Sequence, residues 1–269
     1  MSDECIHGLD VMACDVCRPR LAPQAPEAPV APAPPRAPRA ASPRRSAPAR
    51  RAPSLRGPAP AGPTGTTATV PVLSALRGHH VTHLRNLEAI LADGALRADA
   101  TPELDVSSVP TRLRRAEAVV DGRPVTEHVP FSLTPLSTTW QQLRAGGADG
   151  RWSAAARETR ATDYVVLVVP VQALGDDLAV TDRDAGDPAA RTAQGVHDGG
   201  ALLRRASLTD PELADAELLV PDRVDLSLVT LVGVGNDTVR DQVKRAFAEA
   251  GGARPRVAVY PPWFRPTEG

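Results

Sequence analysis

The chain has 269 residues, 23% of them charged, a formal net charge of −1 and only eight aromatic residues. Its three cysteines all fall within the first 17 residues, which excludes a disulfide framework. No stretch approaches the roughly 18 uninterrupted apolar residues of a membrane span, and the acidic, polar N-terminus lacks the apolar region of a secretory leader. The expectation is a cytoplasmic protein with no membrane partner.

Residues 1–17 contain "CIHGLDVMACDVC", in which Cys5-x-His7 and Cys14-x-x-Cys17 form two close pairs of soft ligands. Tetrahedral zinc takes thiolate sulfur and imidazole nitrogen, and a closed structural site uses four protein ligands. The segment therefore reads as a small zinc knuckle bound through Cys5, His7, Cys14 and Cys17. No thioredoxin-like βαβ pattern surrounds the Cys-x-x-Cys pair, so a redox role is disfavoured.

Composition changes after Cys17. Residues 18–70 read as a disordered linker, and its first part, Arg18 to Pro63, holds nine arginines against one acid, Glu27. Frequent prolines deny backbone donors to helix or sheet, and the segment has no apolar periodicity. Its charge of +8 and the −4 of residues 1–17 leave −5 for residues 64–269. Clustered cations attract a phosphate backbone, although the same arginines would also keep a plain spacer soluble.

Residues 71–269 read as one folded domain of mixed α and β character. "NLEAILADGAL" places Leu87, Ile90 and Leu91 on one helical face, with Gly94 where a helix C-cap glycine belongs. "HVPFSL", "DYVVLVVPV", "AELLV", "LSLVTLVGVG" and "RVAVY" read as strands. Asn236 or Asp237 can cap an amphipathic helix over "TVRDQVKRAFAEA" that stops at Gly251-Gly252. Generic motifs are missing: there is no Walker A loop, no complete dinucleotide fingerprint, no Gly-x-Ser-x-Gly elbow and no cysteine after Cys17.

What remains is a set of ordered blocks. His80-Val81-Thr82-His83 is followed by Asn86-Leu87, Ile90-Leu91 and Gly94-x-Leu96, then by "LRRAEAVV", "EHVPFSLTPLS", "VTDRDA" and "ADAELLVPDRVDLSLV". In this order they resemble the DarT family, the DNA ADP-ribosyltransferase toxins of DarTG toxin–antitoxin systems, over about residues 78–235. One departure is Ser132, which stands where the family has a second aromatic after its Val-Pro-Phe.

The resemblance implies an ADP-ribosyltransferase-like α+β domain with a central split β-sheet, preceded here by the linker and the knuckle. It implies a monomeric NAD-dependent enzyme that modifies a thymidine-type base of single-stranded DNA, with a macrodomain-type antitoxin as a possible partner. The catalytic glutamate falls on Glu217, and His80, Val81 and Thr82 would bind NAD. The catalytic arginine, which also contacts NAD, falls on Arg114; Arg112 and Arg115 stand in the same basic run, and the motif does not decide among them. Two other readings stay open: a catalytically weakened nucleic-acid-binding module, and a transferase acting on RNA or protein.

The chemistry suits these residue types. Cleaving the nicotinamide–ribose bond develops positive charge on the ribose, which a fixed carboxylate stabilises only as it forms. An arginine can hold a pyrophosphate through paired charge-assisted bonds.

Overall fold

The computed structural model describes residues 72–265. The knuckle ligands Cys5, His7, Cys14 and Cys17, and the linker assigned to residues 18–70, lie outside the described residues.

The first half of the domain alternates strands and short helices. Strand β1 (Arg77–His83) leads to helix α1 (Leu87–Asp93) and strand β2 (Ala95–Arg97). Helix α2 (Val109–Glu117) precedes two short strands, β3 (Val119–Val120) and β4 (Arg123–Pro124), and then β5 (His128–Ser132). Helices α3 (Thr138–Arg144) and α4 (Ala154–Arg157) separate β5 from β6 (Tyr164–Pro170).

The second half begins with β7 (Ala179–Thr181) and β8 (Thr192–Gln194), followed by helix α5 (Gly195–Ala206). Strands β9 (Glu217–Pro221), β10 (Arg223–Asp225) and β11 (Leu231–Val234), helix α6 (Asp237–Ala250) and strand β12 (Arg256–Val259) complete it.

Among the described residues, eight strands form one sheet in the order β12-β11-β6-β1-β5-β9-β7-β8. Only β11 and β12 run parallel; their neighbours pair antiparallel. The apolar run of β6 is buried on both faces, which its continuous rather than alternating pattern requires. Val165, Leu167 and Val169 join Phe131, Leu218 and Val232 on one face, while Val166 and Val168 meet Trp140, Trp152 and Phe264 on the other.

Helix α1 packs Leu87, Ile90 and Leu91 on that first layer and ends at Gly94, whose φ of 64° lies in the left-handed region that favours glycine. Asn236 caps α6, accepting the Val239 N–H at 3.0 Å, and Val239, Val243 and Phe247 form its buried stripe. "LSLVTLVGVG" is not one strand. Asp225 Oδ1 accepts the Ser227 N–H at 2.8 Å and starts a turn, so pairing resumes only at Leu231.

The central feature is a split. Strand β1 pairs with β6 from Arg77↔Pro170 to His83↔Tyr164, but with β5 only at His79↔Ser132. Beyond that pair the two strands separate, and a cleft opens between them.

Candidate active site

Strand register places the key side chains. His79 is paired with Ser132, Ser132 with Glu217, and Glu217 with Thr181, so one row crosses β1, β5, β9 and β7. Directly paired residues share a face of the sheet. Gly78 lets β1 come close to β5, since a Cβ there would sit 3.1 Å from the Phe131 side chain.

At the split, the His80 ring takes over from the missing ladder. Its Nδ1 lies 2.9 Å from the Pro130 carbonyl oxygen, which can only accept, so Nδ1 carries the hydrogen. Burial holds the His80 imidazole below its ordinary pKa, against the opposing pull of that same bond. A neutral ring donating from Nδ1 leaves Nε2 as an acceptor. Neighbouring His79 is also neutral: burial lowers its pKa to about 4, and its Nδ1 lies 3.3 Å from the Ser132 oxygen.

Opposite the histidines is a charged cluster. Glu217, first residue of β9, accepts from Arg115 Nη1 at 3.2 and 3.1 Å, from Arg115 Nη2 at 3.1 Å and from the Ala185 N–H at 3.2 Å. Asp184 Oδ1 accepts from Arg115 Nη1 at 2.7 Å and from the Gly186 N–H at 2.9 Å. Its Oδ2 accepts from Arg151 Nη1 at 2.7 Å.

Burial works against the charged forms here, but the partners outweigh it. Asp184 is held below the usual carboxylate range by Arg115, the Gly186 N–H and Arg151. Arg115 is likewise raised by Glu217 and Asp184 despite its burial.

Helix α2 supplies the arginine. Ser108 caps it, and the buried Thr111 donates its hydroxyl to the Arg151 carbonyl at 3.0 Å, which docks the helix beside the cleft. One residue along a helix turns a side chain by about 100°. That turn decides the arginine. Arg115 enters the cleft, Arg114 is exposed and outside it, and Arg112 pairs with Asp105. Of the arginines in this basic run, Arg115 and not Arg114 lines the cleft.

Other expected residues divide in the same way. His80 and Val81 line the cleft, with Trp140 and Trp152 as aromatic walls. Thr82 does not: it is buried, and its Oγ1 accepts from Asn86 Nδ2 at 3.2 Å. Asn86 also binds both backbone groups of Leu104, so this pair anchors the segment before α2 rather than a ligand. Arg115 stood in the sequence only as an alternative to Arg114, and Asp184, Arg151 and Trp152 were not singled out there. "VTDRDA" carried a signal for Asp184, while "GRW" carried none for Arg151 or Trp152.

A second, polar cavity shares Thr139, Arg151, Asp184 and Asp215 with the first and extends past Arg183, Arg191 and Arg205. Among the described residues, no group of three or more His, Cys, Asp or Glu side chains could hold a metal ion. No helix among them is long and apolar enough to cross a membrane.

The family profile described as "DarT: ssDNA thymidine ADP-ribosyltransferase, DarT" matches residues 79–265. Among solved structures, DarT from Thermus sp. 2.9 in complex with ADP-ribosylated ssDNA is similar, at 23% identity and a TM-score of 0.60, covering 71% of this chain and 96% of that one. The same Thermus protein in complex with NAD+ aligns at 24% identity and a TM-score of 0.57, over 71% and 98% of the two chains. DarTG of Thermosipho africanus in complex with ADP-ribose aligns at 18% identity and a TM-score of 0.55, over 70% and 51%. No curated protein matches the chain significantly.

Proposed function

The chain belongs to the DarT family, the NAD-dependent single-stranded-DNA thymidine ADP-ribosyltransferases, and from that premise we propose how its cleft divides the work. Glu217 faces the ribose from which nicotinamide departs. As the bond breaks, its electron pair leaves with nicotinamide and positive charge develops on the ribose, where the carboxylate stabilises it. The attacking ring nitrogen of the base forms the new bond to the ribose carbon and releases its proton to solvent water.

Arg115, rather than Arg114, contacts the NAD pyrophosphate through paired charge-assisted bonds. His80 offers its Nε2 lone pair to a ribose hydroxyl, and Val81 forms part of the adjoining wall. The acceptor strand approaches through the second cavity, beside Arg183, Arg191 and Arg205. The observation that carries this reading is a row of paired residues that runs from His79 through Ser132 to Glu217, with Arg115 bonded to that carboxylate and the His80 ring at the split. A weakened binding module is disfavoured, because both the carboxylate and its arginine are retained in the cleft.

The test is incubation with NAD and single-stranded oligonucleotides of varied base content. A mass gain of one ADP-ribose on thymidine-containing strands alone is expected. Transfer to RNA or protein but not to these strands would overturn the acceptor assignment.

Three further parts of the reading concern the rest of the system. Cys5, His7, Cys14 and Cys17 bind one structural zinc, on the strength of their donor types and spacing; purified protein without stoichiometric zinc would refute this. The arginine-rich segment adds phosphate affinity that a catalytic region of net charge −5 lacks, so deleting residues 18–63 flattens the salt dependence of DNA binding. A DarTG-type pairing makes a macrodomain-type antitoxin the expected partner, and its co-expression should relieve growth inhibition by this chain.

A further inference from the structure

The guanidinium of Arg115 has two carboxylate partners, and the nearer is not Glu217. Its Nη1 is 2.7 Å from Asp184 Oδ1 but 3.1 Å or more from either oxygen of Glu217. Asp184 is itself held on both oxygens, by the Gly186 N–H and by Arg151. Its side chain is only 17% exposed, as is that of Arg115. The turn fits closely around the arginine stem, because a Cβ on Gly186 would sit 3.0 Å from Arg115 Cγ. This is a built arrangement, not a surface ion pair.

It has a consequence for charge. An arginine paired with Glu217 alone would cancel much of the negative charge that the developing ribose cation requires. Glu217, Arg115, Asp184 and Arg151 instead form a chain of alternating sign, neutral in total. Within it Asp184 takes a share of the Arg115 charge and fixes the guanidinium at the edge of the cleft.

We propose that Asp184 is a positioning residue for the transfer reaction, holding Arg115 so that Glu217 keeps its negative charge available to the ribose. This rests on the assignment of Glu217 and Arg115 made above. Removing the Asp184 charge leaves the chain at +1 beside a growing cation. Arg115 then has a single carboxylate and closes on it. The transition state suffers, while an anionic pyrophosphate in the ground state does not.

The test measures ADP-ribose transfer to a thymidine-containing single strand at saturating DNA, with NAD varied. Asp184→Asn, which keeps size, should lower kcat by about 10- to 100-fold while KM for NAD stays level or falls, as loss of a supporting partner behind an electrostatic group predicts. Asp184→Glu should recover most of the rate, since it restores the carboxylate. In a Glu217→Gln background, Asp184→Asn should add almost no further loss, because the charge it protects is gone.

Three results would overturn the proposal. One is an Asp184→Asn enzyme with wild-type kcat. Another is an Asp184→Glu enzyme as slow as Asp184→Asn. The third is a rise in KM together with a lower melting temperature, which would mean a merely structural role. Near wild-type transfer by Glu217→Gln alone would instead sink the underlying assignment, and this proposal with it.

Discussion

Strand β1 has two unlike edges. Toward β6 it is paired at seven successive residues, and the partner side chains from Val165 to Val169 are almost completely buried. Toward β5 it is paired once, and the next side chain, His80, bonds the Pro130 oxygen in place of a ladder. The Pro130 oxygen, left without a ladder partner on this edge, takes its hydrogen bond from an imidazole. One edge is core and the other is the rim of a cleft. The same strand is thus held firmly on one side while the cleft opens on the other.

Substitutions on the two edges should separate stability from activity. The largest effect on folding is expected at Leu167, which is paired with His80 on the closed edge and fully buried. Leu167→Ala should cost about 2–5 kcal/mol, read as a lower denaturant midpoint. A loss below about 1 kcal/mol would mean the closed edge is not the core it resembles.

His79, at the single pair of the open edge, should make stability depend on pH. Its pKa is lowered from 6.5 to about 4 in the fold, so the unfolded chain binds more protons between those values. Stability is therefore complete above pH 6.5 and declines as pH falls toward 4, by up to about 3 kcal/mol from this group. His79→Gln should flatten that decline in urea titrations at stepped pH, and an unchanged slope would remove His79 as its source.

A smaller effect distinguishes the two adjacent arginines. Arg115→Ala should raise KM for NAD by about 10- to 100-fold, the loss expected of a charge-assisted contact. Arg114→Ala, on the exposed side of the same helix, should change it less than about threefold. The opposite ranking would return the role to Arg114.

Much of this was legible in the chain. The buried run of β6, the Gly94 stop and the Asn236 cap are local signals, each set by residues a few positions apart. The blocks that contain Glu217 and His80 were legible, and the fold brings both residues to the lining of one cleft.

The arginine was not, since "RLRR" offers cations at several helical angles and only docking selects one. Nothing in the block of Thr82 reveals that the fold buries it and that its hydroxyl accepts from Asn86. Asp184 meets Arg115 and Arg151 across sequence separations that no periodicity encodes. The split itself is a failure of pairing between β1 and β5, a property of two distant segments that neither one carries alone.

The central claim is that the cleft separates binding from chemistry at Glu217, and one variant tests it. Glu217→Gln keeps the size and hydrogen-bonding reach of the side chain but removes its charge. NAD affinity, measured calorimetrically, should stay close to wild type, while ADP-ribose transfer to a thymidine-containing single strand should fall by about two to three orders of magnitude. A Glu217→Gln protein that transfers ADP-ribose at near the wild-type rate would contradict the account.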